Sequence, residues 1–286
     1  MCPILDEINL REVASDGQLP RVWWIGSGLA TSMPFHAAGI YSLWPGENAL
    51  RRAVSSYTPS IKALAYSRTR CCYKRANRPK AIIATMPVTP GLKGLPGVVV
   101  ERERVARVLG SCTTVNDMEL PTSKLVAKSL AQCSIAHFAC HGWSDPVDPS
   151  NSGLIFAGRH TKGDLVQDAL TVHDISETNL GNVQLAYLSA CSTAENKAAR
   201  LADEAINVAT GFQIAGFPHV VGCLWPSMDA VCAEVAYSFY ALLTQQGDID
   251  LGNRAIVVAL HQSVLAIAVR DWKRPLNWAQ FVHYGA

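Results

Sequence analysis

The chain has 286 residues, a formal net charge of +2 and 49% hydrophobic residues. That much apolar material supplies a sizeable core and excludes a disordered chain. A charge so close to zero leaves no basic field of the kind that binds nucleic acid or an anionic membrane, so neither partner is expected.

Nine cysteines are the main compositional signal. Their number is odd, and the opening stretch MCPILDEINLREV lacks a basic region followed by an apolar core. A reduced, cytoplasmic compartment is therefore expected rather than a disulfide framework. The longest apolar tract, residues 255–269, is interrupted by His261, Gln262 and Ser263. It reads as a buried helix, too short and too polar for a membrane span.

In chain order, residues 1–20 read as a lead-in and residues 21–286 as one domain. The run VWWI after Arg21 suits a strand, because aromatic and β-branched side chains fit a pleated surface. Residues 51–75 read as mostly helical. Residues 81–86, AIIATM, form a continuous apolar strand, and Pro87, Pro90 and Pro96 with Gly91, Gly94 and Gly97 make the next segment a loop. Residues 101–109 are helical, with Val105, Val108 and Leu109 on one face and Gly110 as the stop. A helix over residues 124–132 leads into the strand IAHFACHG, residues 135–142.

Asp145-Pro146 and Asp148-Pro149 then set turns. A small strand at Leu154-Ile155-Phe156 turns at Lys162-Gly163-Asp164, and Thr171 to Asp174 has capping-box spacing. A second long apolar strand, LAYLSACST over residues 185–193, carries Cys191. An Ala-rich helix over residues 203–216, a strand over residues 219–225, a helix capped by Ser227 with Val231, Val235 and Phe239 on one face, and a last helix over residues 254–269 complete the chain. Strands alternating with helices predict parallel βαβ units, hence a three-layer α/β/α sandwich around a largely parallel sheet.

Two of these strands break off at residues able to do chemistry, His141 and Cys191. In open α/β sheets ligands bind over the carboxyl ends of the strands. A thiol becomes a nucleophile when an imidazolium stabilises its thiolate, and attack on a carbonyl needs donors for the oxyanion. Cys191 is thus the candidate nucleophile and His141 its partner in proton transfer, with the backbone N–H groups of Gly142 and Cys191 as the oxyanion hole. The competing reading is a packed histidine and a small buried thiol. A zinc cluster of Cys133, His137, Cys140 and His141 is disfavoured, because on a strand Cys140 faces away from the two histidines. His137 reads as a packed or hydrogen-bonded strand residue. No feature requires a metal or organic cofactor, and no GxxxxGK[ST] phosphate loop occurs.

The blocks HFACHG, SGLIF, LTVHDIS, LAYLSACST, LADEAINVATGFQIAGFPHVVGCLWP and LNWAQFVHYG follow one another in a telling order. With VWWIGSGLATSMPFHAAGIY and MPVTPGLKGLPG ahead of them, they resemble the successive blocks of a CHAT domain, the caspase-like module often found after tetratricopeptide repeats. The resemblance implies a caspase/separase-like sandwich of the cysteine peptidase clan, a dyad of His141 and Cys191, and a protein or peptide substrate.

In separase-like relatives an acidic residue just after the LW strand helps select a basic P1 side chain, and Asp229 matches it by position. Asp203 and Glu204 are secondary candidates, and a carboxylate at a helix N-terminus is also what the helix dipole favours. The chain departs from the family where it has Gly26-Ser27-Gly28-Leu29 for PTGPL and Gly222-Cys223-Leu224-Trp225 for GTLW. The repeats that usually carry recognition are expected in a tetratricopeptide-repeat partner, or upstream in a longer protein of which this chain is a fragment. Two functions follow: a cytoplasmic cysteine endopeptidase, or alternatively a non-catalytic or partner-activated signalling module on the same fold.

Overall fold

The computed structural model describes residues 6–7, 18–41, 47–71, 78–145, 147–159, 164–178, 180–190, 207–226 and 228–286. Continuous apolar runs become its central strands: β3 (Lys80–Thr85), β5 (Ile135–Trp143), β8 (Leu185–Ala190) and β9 (His219–Cys223). They are buried on both faces, which is what parallel sheets covered by helices require. With β4 (Thr114–Glu119) at the edge they form a parallel array in the order β9-β8-β5-β3-β4.

Beyond β9 lie β10 (Phe281–Gly285), β2 (Val54–Tyr57) and β1 (Arg21–Trp24), parallel to one another. The pairing of β10 with β9 is antiparallel, the one reversal along the eight-strand path. A hairpin of β6 (Gly153–Arg159) and β7 (Leu165–Thr171) attaches to the end of β5, where His141 pairs with Ile155.

Helices cover both faces. On one side, α3 (Ser123–Leu130), α4 (Val172–Ser176) and α5 (Val208–Ala215) pack Val126, Ile175 and Phe212 into a core with Phe138 and Phe156, and α1 (Ile61–Arg70) lies against α5. On the other, α2 (Gly97–Gly110), α6 (Asp229–Leu243) and α7 (Asn253–Arg270) bury Val105, Phe239 and Ile256 with Tyr187 and Trp278. This is the three-layer sandwich with a largely parallel sheet that the sequence predicts.

The differences have local causes. Residues 54–57, read as part of a helical stretch, form β2, and α1 starts only after Ser60, whose side chain accepts from the Ala63 amide at 3.1 Å. Three further strands went unread. β4 exposes four of its six residues and β7 most of its length, so neither shows an apolar run. β10 sits inside the aromatic block near the C-terminus and is buried throughout. Gly110 is the last residue of α2 rather than a stop beyond it. The capping box at Thr171 and Asp174 forms as expected. α5 is described from Val208, with Asn207 as its cap, and Gly216 at φ 124° ends it in a region open to glycine. Residues 203–206 and Ser227 lie outside the described residues.

Candidate active site

The parallel register of β5 and β8 runs from Ile135 opposite Leu185 to Cys140 opposite Ala190, so both strands reach the same sheet edge together. His141 is the next residue of β5. Cys191, the next residue in the chain after β8, lies outside the described residues, as do Asp203 and Glu204.

His141 is partly buried, and its Nε2 lies 2.8 Å from the Lys93 carbonyl oxygen. A carbonyl can only accept, so Nε2 carries the proton and Nδ1 is the basic nitrogen of the neutral ring. Lys93 sits in the loop of residues 87–96 between β3 and α2. That loop is closed on itself by the Leu95 amide on the Pro87 carbonyl at 2.9 Å. It is also held from outside, by Gln167 Nε2 of β7 on the Pro90 carbonyl at 2.6 Å. Gly91, at φ 72°, makes its turn in the left-handed region.

Gly142 pairs with Leu154 on β6. Backbone polar groups alternate sides along a strand, and the Ala139 carbonyl accepts from the Met86 amide just past β3 at 2.9 Å. His141 and Trp143 therefore turn their backbone groups to that same side, where β6 lies: its Ala157 amide reaches the Pro121 carbonyl after β4 at 3.2 Å. The Gly142 N–H faces the opposite side, that of β8.

Asp229 is the first residue of α6, and its Oδ2 accepts from the Gly97 amide at 3.1 Å. It caps α2 from a neighbouring helix, since Pro96 at the N-cap offers no side-chain acceptor. The bond uses one of the two carboxylate oxygens. His141 and Asp229 thus reach the same segment four residues apart, at Lys93 and at Gly97.

Sequence reasoning missed the polar cluster beneath this edge. Glu101 of α2 is 2% exposed, accepts from the Ser189 hydroxyl at 2.9 Å and lies 3.2 Å from His137 Nε2. The signal was present: Glu101 stands on the same helical face as Val98, Val105 and Leu109, all buried. On β5, His137 packs on Tyr187 and Tyr240, while Ala136, Phe138 and Cys140 enter the opposite core, so His137 and Cys140 face away from each other. Among the described residues no three His, Cys, Asp or Glu side chains gather as metal ligands, and no helix is long and apolar enough to cross a membrane.

A mostly parallel sheet between two helical layers is the fold shared with the caspase-like proteins gingipain and separase. The chain belongs to the CHAT domain family, whose model matches residues 2–286. Among solved structures it is similar to the Arg-specific cysteine proteinase gingipain R (RgpB), with a TM-score of 0.63 at 11% identity over 100% of this chain and 67% of that one. A complex of Porphyromonas gingivalis RgpB pro- and mature domains gives 0.61 at 11% identity, over 100% and 69% of the two chains. The Saccharomyces cerevisiae separase–securin complex gives 0.58 at 15% identity, over 92% of this chain and 15% of that chain. No curated protein sequence matches this chain.

Proposed function

We propose that this CHAT domain is a cysteine peptidase in which His141 and Cys191 cleave a protein or peptide substrate. The observation that carries the reading is His141 at the end of β5, held through Nε2 by the Lys93 carbonyl, on a strand in register with the one leading to Cys191. His141 Nδ1 takes the thiol proton, and the thiolate attacks the scissile carbonyl carbon, opening its C=O bond to an oxyanion. The Gly142 N–H, turned toward the β8 side, and the Cys191 N–H receive that oxyanion. Collapse breaks the C–N bond as the imidazolium returns its proton to the leaving amine. Water, deprotonated by His141, then releases the acyl group and restores the thiol.

A basic P1 residue is the preferred specificity, assigned to Asp229. Support comes from its hydrogen bond to the Gly97 amide, four residues beyond the Lys93 carbonyl that meets His141, and from the arginine specificity of gingipain R. A tetratricopeptide-repeat partner or region would bring the substrate, and a reduced, cytoplasmic compartment keeps the thiol available. A peptide library, read by mass spectrometry, tests the proposal. Cleavage after Arg or Lys should occur with wild type and disappear with Cys191→Ala and His141→Ala; cleavage that persists in the folded Cys191→Ala variant would refute it.

A further inference from the structure

A buried carboxylate lies under the candidate active site. Glu101 is 2% exposed and His137 fully buried, and a charge taken out of water is costly unless paired. Its two oxygens face two different strands. Oε2 accepts from Ser189 on β8, and Oε1 lies 3.2 Å from His137 Nε2 on β5, short of a directed hydrogen bond. His137 is held in turn by the Tyr240 hydroxyl at 3.3 Å from Nδ1 and by stacking on Tyr187, with ring centroids 5.1 Å apart. Burial, and then the Glu101 charge, push the titration of both tyrosines upward, so their hydroxyls stay protonated donors.

The placement of these residues matters more than their number. Ser189 precedes Cys191 by two positions and His137 precedes His141 by four, so Glu101 ties α2 to both strands just below their reactive ends. The first turn of α2 is pinned a second time where Asp229 caps Gly97. The loop bearing the Lys93 carbonyl runs directly into that turn. A shift of α2 along the sheet therefore moves the acceptor that fixes the proton on His141 Nε2.

We propose that Glu101 is a positioning residue: its ties to Ser189 and His137 hold α2 so that the Lys93 carbonyl stays on His141 Nε2, leaving Nδ1 as the base. The inference rests on the dyad reading, and two readouts separate the two. Imidazole nitrogen NMR reports the His141 tautomer whether or not the enzyme is active. Alkylation of Cys191 by iodoacetamide across pH, located by mass spectrometry, reports the thiol.

Glu101→Gln, whose amide cannot accept from both partners, should mix the His141 tautomers and slow Cys191 alkylation at neutral pH by about 10- to 100-fold. Replacing the pair by apolar groups, Glu101→Met with His137→Leu, should keep or raise the melting temperature and yet give the same slow alkylation, an outcome a merely structural role does not predict. Should Glu101→Gln not fold, Ser189→Ala removes only the tie to β8 and decides the same question. Folded variants with the wild-type tautomer and alkylation profile would overturn the inference. If His141→Ala in an otherwise wild-type chain alkylates as fast as wild type, the dyad reading fails, and the tautomer alone then judges Glu101.

Discussion

Gly97 has no room for a side chain, because a Cβ there would stand 2.2 Å from the Cβ of Asp229. Gly97→Ala must push α2 and α6 apart at the point where the carboxylate caps the helix. It should destabilise the protein by about 1–3 kcal/mol, read from the urea midpoint. Asp229→Asn keeps an acceptor oxygen on the Gly97 amide and removes only the charge. As a cap alone Asp229 would lose about 0.3–1 kcal/mol, whereas a P1-selecting role adds a fall in cleavage after Arg and Lys relative to other residues. Measuring stability and specificity on that one variant separates the roles; an unchanged P1 preference would leave only the cap. His141 was legible because an apolar run ends on it, and Asp229 through its family position. The hold of Lys93 was not, since a backbone carbonyl is present whatever the side chain. Glu101 could have been read as the one charge on the buried face of α2.

Phe138 shows the dependence of the strands on core packing. It is fully buried on β5 and meets Phe156 of the β6–β7 hairpin and Phe212 of α5 edge-on, with centroids 6.3 and 5.7 Å away. Phe138→Ala should cost about 3–5 kcal/mol, because one cavity opens against strand, hairpin and helix together. A loss below 1 kcal/mol by chemical denaturation would mean that these layers do not share a core. The same property explains which elements could be read. β3, β5, β8 and β9 are buried on both faces and appear as continuous apolar runs. β4 and β7 are largely exposed, and their strand character resides in backbone pairing that leaves no hydrophobic period. β2 was hidden because two of its four residues are serines, whose hydroxyls bond Trp24 Nε1 at 3.0 Å and Arg21 at 3.0 Å.

Four of the buried histidines, His36, His219, His261 and His283, make the whole fold sensitive to acid. His36 bonds the Tyr57 hydroxyl at 2.8 Å, and His219 faces His283 at 3.0 Å, with Ser56 behind it. Burial depresses His36 and His219 to about 3 and His261 to about 4, and drives His283 well below 6.5. For His36 the neighbouring His261 adds to burial, and for His283 the neighbouring His219 does. A folded-state value below the unfolded one means that the unfolded chain binds the proton more readily. The stability is therefore complete above about pH 6.5 and is lost as pH falls from there toward 4 and then 3, by up to about 1.4 kcal/mol per pH unit for each histidine. Urea midpoints should be level between pH 7 and 8 and drop steeply between pH 6 and 4.5; a flat profile to pH 4.5 would contradict the burial of these rings. The sheet order, with its reversal between β9 and β10, was beyond the sequence, because alternation of strands and helices fixes class and not strand order.

The central claim is a competent dyad at the paired ends of β5 and the strand leading to Cys191. It is tested most directly by labelling with an electrophilic peptide probe bearing a basic P1 residue, with the adduct located by mass spectrometry in wild type, Cys191→Ala and His141→Ala. The account predicts an adduct on Cys191, absent in the first variant and much weaker in the second. Labelling of Cys191 that is equally fast without His141, or no adduct on the folded wild-type protein, would contradict it.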